Sequence, residues 1–366
     1  MPKFPSRSAI VICTLELLPY QSVLTMQGEN KIDTARILQL DGLRAFAVLM
    51  VFVSHVFRSQ LLWSGVDLFF ILSGFLITGI LVERRGQTTL SQYLASFYER
   101  RARRILPPYL ALLGLTSIVF GIGWIRHWYL FFFLMNTARF LELARPYSLG
   151  VLWSLAVEEQ FYFLWPFAVY LLNDTALAWL AGSLVLTAPL LRWIATAYFP
   201  GHWHVYASAP FRMDLLAAGA LLALVWRRRR AAIERFGGYG LVLACLAAIP
   251  LLLFSRYPWF QPAANSILVN VWLYEIILFG YVGVLLWALS GRVVGILKLR
   301  PLVYVGRISY TLYLVHETVI TVVRDHLHHY LPGTPIALAI SLSFAAFSWH
   351  CLESPILQGR GWSQST

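Results

Sequence analysis

From Leu40 onward the chain is a succession of continuous apolar stretches, at about 40–58, 65–83, 105–125, 149–172, 176–196, 211–226, 239–256, 270–290, 308–325 and 334–351. Each is close to the ~20 residues that an α-helix needs to cross a bilayer. Backbone polar groups in hydrocarbon must be satisfied within the spanning structure, which leaves only helices or a closed barrel. A barrel strand reads as ~10 residues of alternating polarity, and these runs do not alternate. The expected fold is therefore all-α, a polytopic transmembrane helical bundle of about ten spans with no separate soluble domain. Composition agrees, with 59% hydrophobic and 13% charged residues where a soluble domain carries roughly 25% charged.

The net charge of +12 would suggest nucleic acid in a soluble protein; here it reports topology. With ten spans and both termini inside, fifteen basic residues fall in cytoplasmic loops, in clusters around Arg84–Arg104, Arg227–Arg235 and Arg292–Arg307, against six on the opposite side. That asymmetry follows the positive-inside rule and places an integral protein in the cell (inner) membrane with both ends cytoplasmic. The aromatic run Trp128 to Phe133 reads as a re-entrant or interfacial piece. Residues 1–36 are too short of apolar sequence to span and lack a signal-peptide cleavage pattern; they read as a poorly ordered extension, and Met26 offers an alternative start. Residues 37–356 form the membrane domain and 357–366 a cytoplasmic tail. There is no internal repeat of the kind that builds transporters. Cys13, Cys245 and Cys351 are too scattered for a disulfide framework or a zinc site.

Ionisable groups inside spans are costly and mark functional sites by default. Arg44 and His55 stand eleven residues apart in the first span, about 20° from a common face and ~16.5 Å apart along the axis. A neutral imidazole is the commonest general base for a hydroxyl proton; the bland alternative is an interfacial histidine and an arginine paired with Asp41. In LWSLAVEEQFYFLWP, Ser154 and Glu158 share a face with Glu159 adjacent, so one glutamate must reach a polar cavity, a basic partner or a proton, or act as interhelical glue. Asp67 is placed either to orient His55 or to cap its own helix. In RISYTLYLVHE, Ser309, Tyr313 and His316 fall within ~60° of one another on a helix, a polar stripe in which His316 ligates, relays a proton or bonds a carbonyl.

Arg100, Arg101, Arg103 and Arg104 lie at the cytoplasmic mouth of the third span. Arginines three apart share a face and can fork onto phosphate oxygens, although a lipid-headgroup or topogenic role is equally open. His202, His204, His326, His328 and His329 lack carboxylate or thiolate companions at ligand spacing, so no metal is expected. Glu353, just before Pro355, is expected to pair with a basic residue.

Taken together, LDGLRAFAVLMVFVSH, GVDLFFILSGFLI, ERRARR, LWSLAVEEQFY, ISYTLYLVH and the closing Glu-Ser-Pro resemble, in order from about Leu38 to Pro355, the acyltransferase 3 family of integral-membrane O-acyltransferases. The resemblance implies transfer of an acyl group from cytoplasmic acyl-CoA, acetyl-CoA foremost, to a hydroxyl of a carbohydrate or glycosylated acceptor, with no metal and no nucleic acid. It implies His55 as catalytic base and Arg44 as its partner; beside it, the residues themselves offer Glu158 or Glu159 to fix the imidazole tautomer, with Asp67 as a further catalytic candidate. The donor phosphates fall to Arg101 and Arg104 or to Arg100 and Arg103, two registers of one Arg-x-x-Arg pattern. Trp153, Ser154, Ser309, Tyr313 and His316 are the candidates that face the substrate or its oxyanion. The competing class is a transporter or flippase built on the same intramembrane groups, and a lipid or small-metabolite acceptor is a variant of the same chemistry. The acyl chain and the oligomeric state leave no mark in the sequence.

Overall fold

The computed structural model describes residues 37–59, 61–138, 141, 143–260, 264–327 and 330–358. The N-terminal extension and most of the expected tail lie outside the described residues. Those described are helical or in turns, with no strand among them. The main helices are α1 (Leu38–Phe57), α2 (Gly65–Arg84), α3 (Leu90–Phe120), α4 (Leu152–Leu171), α5 (Asp174–Tyr198), α6 (His202–Ala207), α7 (Met213–Phe236), α8 (Gly240–Phe254), α9 (Tyr274–Ser290), α10 (Arg300–Leu327), α11 (Tyr330–Ser348) and α12 (Ser354–Gln358).

Six helical stretches are long and apolar enough to cross a bilayer: Leu38–Phe57, Leu62–Arg84, Asp174–Tyr198, Met213–Phe254, Leu268–Ser290 and Gly333–Gln358. The difference from ten has identifiable causes. Met213–Phe254 is one continuous helical stretch where the sequence suggests two spans; it breaks at Arg229 (φ −131°, ψ 34°) and tightens through a short 3₁₀ turn at Gly237–Tyr239. Helices α3, α4 and α10 carry the ionisable groups that lower their hydropathy. Helix α3 also starts fifteen residues before the expected span, so the four arginines of ERRARR are helical rather than loop residues. The run around Trp128 is a short 3₁₀ turn, Trp128–Phe132, and not a full crossing.

Local chemistry accounts for the helix ends. Asn173 accepts from the backbone N–H groups of Thr175 and Ala176 at the start of α5 (3.1 and 2.9 Å), and Thr89 accepts from Gln92 at the start of α3. Both satisfy first-turn donors that have no partner inside a helix. The prolines inside α3, α4, α5, α8 and α11 are tolerated because neighbouring groups in a bundle re-satisfy the freed carbonyls.

The outer surface is apolar, with Ile118, Leu186 and Trp179 at least three-quarters exposed, as a lipid-facing shell requires. Helix α2 is the most buried and sits at the centre, against α1, α4, α7 and α9. Two close helix pairs position the site. A Cβ on Gly306 would meet the Asp41 carbonyl oxygen at 1.9 Å, and one on Gly74 would meet that of Leu216 at 1.9 Å. Glycine lets the α1/α10 and α2/α7 backbones touch, the small-residue packing common between membrane helices.

Candidate active site

The α1/α10 contact sets the first part of the site. His55, exposed near the end of α1, holds its Nδ1 2.9 Å from the Val51 carbonyl and 3.3 Å from Nε2 of His316, which is fully buried on α10. The two rings meet edge to face with centroids 4.9 Å apart. Three residues earlier on α10, the Tyr313 hydroxyl lies 2.6 Å from Ser154 Oγ and donates to the Val151 carbonyl, which Ser154 also reaches. Two hydroxyl protons thereby serve each other and one carbonyl, which fixes the Tyr313 ring against His316, their centroids 5.4 Å apart. Glu317 accepts the Val151 N–H at 2.8 Å and lies within electrostatic reach of His55. Deeper along α1, Arg44 donates from Nε to Ser309 Oγ at 3.4 Å. The polar stripe Ser309, Tyr313, His316 therefore faces α1 and α4 along its whole length.

A second part gathers at α3. Arg101 and Arg104 turn inward. The Arg101 guanidinium lies 4.1 Å over the Tyr162 ring and 4.0 Å from Glu159. That spacing is an ion pair without a hydrogen bond, and it leaves Arg101 Nε and Glu159 Oε1 without hydrogen-bond partners. Glu158 accepts from Ser73 (2.9 Å) and from the Tyr162 hydroxyl (3.2 Å). Arg104 pairs with fully buried Glu353 at 3.1 Å, donates to the Arg307 carbonyl and lies over Trp349. Glu353 also accepts from Thr311 and Ser348. A π-helical turn at Trp349–Glu353 delivers this carboxylate, a distortion frequent at functional sites. Arg44, Arg101 and Arg104 sit close enough to interact electrostatically. Arg103 instead pairs with exposed Glu99 one turn away on α3, and Arg100 lies beside Arg84. Of the two Arg-x-x-Arg registers, Arg101 and Arg104 converge on the polar interior. Between α3, α4 and the 128–132 turn opens a cavity of about 390 Å³, lined by Phe97, Arg101, Phe133, Glu159, Gln160 and Tyr162 among others.

Other predicted residues lie elsewhere. Asp67 neither orients His55 nor caps α2: it forms a buried ion pair with Arg212, both fully buried. Glu158 and Glu159 face the arginines of α3 and not the imidazole. Trp153 stands against Phe70 and Tyr206, between the site and the Asp67 pair. Sequence reasoning missed Arg192, Arg212, Asp214, Glu275, Glu317, Ser73 and Tyr162. Arg192 is fully buried and bonds Asp214, Glu275 and the Phe211 carbonyl at 2.5–2.6 Å. A charge inside the apolar run APLLRWIA was the available signal for it. Among the described residues no three His, Cys, Asp or Glu side chains gather as a metal site requires.

An all-helical bundle with apolar outer faces, carrying a histidine pair at one end of a helix and inward arginines toward the other, defines an integral membrane protein with ionisable groups gathered in its interior. Residues 37–352 match the acyltransferase-domain model of the acyltransferase 3 family, and the chain belongs to that family. It is 28% identical over 364 residues to the peptidoglycan O-acetyltransferase OatA of Listeria monocytogenes, covering 90% of this chain and 57% of that protein. It is also 28% identical over 360 residues to the putative peptidoglycan O-acetyltransferase YrhL of Bacillus subtilis, covering 87% and 54%. A putative O-acetyltransferase of Staphylococcus aureus is 26% identical over 359 residues, covering 86% and 56%. The chain spans a little over half the length of these curated relatives. No solved structure matches.

Proposed function

We propose that this chain is a membrane O-acyltransferase that moves an acyl group from acyl-CoA, with acetyl-CoA the first donor to try, to a hydroxyl of a carbohydrate, of which peptidoglycan is the acceptor named for its relatives. The observation that carries this reading is the placement of both ends of the reaction on one helix. Arg44, with Arg101 and Arg104 nearby, offers three cations for donor phosphates; His55 stands ~16.5 Å further along α1, a span suited to an extended pantetheine arm. In the orientation that the basic clusters of the sequence favour, the arginines face the compartment that holds acyl-CoA.

His55 takes the acceptor O–H proton as the oxygen attacks the thioester carbonyl. The tetrahedral oxyanion then collapses, the C–S bond breaks, the ester forms, and the thiolate leaves and recovers a proton. Positioned base catalysis of this kind contributes typically 10²–10⁴-fold. Arg104 is held for its task by Glu353, and Arg101 is steadied by Tyr162 while keeping Nε free to donate.

The test is purified protein in proteoliposomes with acyl-labelled CoA and a glycan acceptor. His55→Ala is expected to lose 10²–10⁴-fold of transfer while remaining inserted and folded. Normal turnover by a folded His55→Ala protein overturns the reading, and movement of substrate without consumption of the thioester establishes a carrier instead.

A further inference from the structure

We infer that His316 is a positioning residue that fixes the tautomer of His55, so that the nitrogen presented to the acceptor hydroxyl is Nε2; the functional consequence rests on the acyl-transfer reading above. The argument is an account of protons. His316 Nδ1 lies 2.6 Å from the Tyr313 carbonyl oxygen. A carbonyl only accepts, so this nitrogen carries the hydrogen. Neutral His316 must then have a bare Nε2. That bare nitrogen points at His55 Nδ1, 3.3 Å away, and His55 Nδ1 also lies 2.9 Å from the Val51 carbonyl. Both neighbours of His55 Nδ1 are acceptors, so Nδ1 carries the hydrogen and shares it between them. The only lone pair left on a neutral His55 ring is on Nε2.

The direction of the relay is fixed by surroundings that cannot rearrange cheaply. His316 is fully buried, packed between Phe52 at 6.4 Å and Tyr313 at 5.4 Å, centroid to centroid. The Tyr313 ring is pinned in turn by Ser154. Moving the His316 hydrogen to Nε2 would set the Nδ1 lone pair against the Tyr313 carbonyl oxygen, with the cost of an unsatisfied buried pair. Glu317, a carboxylate within electrostatic reach of His55, accepts the Val151 N–H. When His55 takes the acceptor's proton, its Nδ1–H bond to His316 strengthens because the donor becomes charged. This part, filled by a carboxylate in other histidine bases, is filled here by a second, neutral histidine.

The direct test reads the tautomer without reference to turnover. The full chain, with ring-¹⁵N histidine, is placed in lipid nanodiscs; because there are nine histidines, the His55 signals are assigned by their loss in His55→Gln. The expectation is a protonated Nδ1 and a bare Nε2 in the wild type, and a mixture of tautomers in His316→Phe, which keeps a packed ring and removes the acceptor. A wild-type His55 protonated on Nε2, or an unchanged tautomer in His316→Phe, overturns the inference. The kinetic arm expects His316→Phe to lower kcat roughly threefold to tenfold, the worth of one hydrogen bond, with an unchanged KM for acyl-CoA. His316→Gln, whose amide can both accept from His55 and donate to Tyr313, recovers part of the loss. A fall in kcat that Gln does not relieve, with the tautomer intact, assigns His316 to packing alone and also overturns it. If the tautomer is as expected and His55→Ala still turns over normally, the acyl-transfer reading fails while the proton account survives.

Discussion

Two clusters of intramembrane charge lie within one bundle and are built on opposite terms. In the first, between α2, α5, α7 and α9, Asp67 with Arg212 and Arg192 with Asp214 and Glu275 are matched in short ion pairs, and four of the five side chains are almost completely sealed. Aromatic rings close over them, Tyr274 lying 4.6 Å from the Arg212 guanidinium. In the second, along α1, α3, α4 and α10, Arg44, Arg101, Arg104, Glu158 and Glu159 are half-buried, the Arg101–Glu159 pair is stretched to 4.0 Å, and His55 is exposed. Sealed, paired charges hold helices together; loosely matched charges with access are available to a ligand. On the proposed function, the same residue types serve structure in one place and chemistry in the other, and the sealing distinguishes them.

Substitutions should separate the two with opposite signatures. His55→Ala, in the open cluster, is expected to cost 10²–10⁴-fold in transfer with little change in the melting temperature of the detergent-purified protein. Arg212→Met, in the sealed one, strands the Asp67 carboxylate and should cost about 3–5 kcal/mol of stability, read as a lower melting temperature and a smaller folded fraction. The transfer rate per folded molecule should stay near wild type. Replacing both partners, Asp67→Leu with Arg212→Met, should recover much of the stability, because an apolar pair of similar volume is often neutral. A double variant no better than Arg212→Met would show that the ion pair does more than hold α2 to α7.

How much of this was legible in the sequence follows the same divide. Period, length and polarity gave helices crossing a membrane, because those properties are local. The stripe Ser309, Tyr313, His316 and the common face of Arg44 and His55 were legible because both lie on single helices whose geometry is known in advance. What joins two helices was not. Asp67 looks equally suited to His55 and to its own helix end until α7 brings Arg212 beside it, 145 residues away in sequence. Glu158 reads as a partner for the imidazole, but α4 packs it against Ser73 and Arg101. The meeting of His55 with His316 depends on Gly306, whose role is visible only when a Cβ is imagined between α1 and α10.

The choice of arginine register is the next effect in size. Arg101→Ala with Arg104→Ala should raise the KM for acyl-CoA by roughly 30-fold to 150-fold, if each charge-assisted contact contributes about 1–1.5 kcal/mol, and lower saturated kcat less. Glu353→Gln should move donor KM the same way but less far, since Arg104 keeps the Arg307 carbonyl and the Trp349 face. Arg100→Ala with Arg103→Ala, outside the convergent pair, should leave donor KM within about twofold. Equal effects from the two double variants would mean that the arginines act as an undifferentiated positive surface.

The smallest effect sharpens the comparison from the other side. Arg103 and Glu99 form an ion pair one helical turn apart on α3, with more than half of the Glu99 side chain exposed. Such pairs contribute about 0.3–0.5 kcal/mol, because water screens the attraction and holding two long side chains together costs entropy. Glu99→Ala should therefore change the melting temperature by no more than a degree or two, and raising the salt concentration should erase even that. Its pairing is as short as those in the sealed cluster, so the test isolates what burial adds to a contact that looks the same by distance. A stability loss from Glu99→Ala approaching that of Arg212→Met would show that proximity, and not exclusion of water, separates the two kinds of charge in this protein.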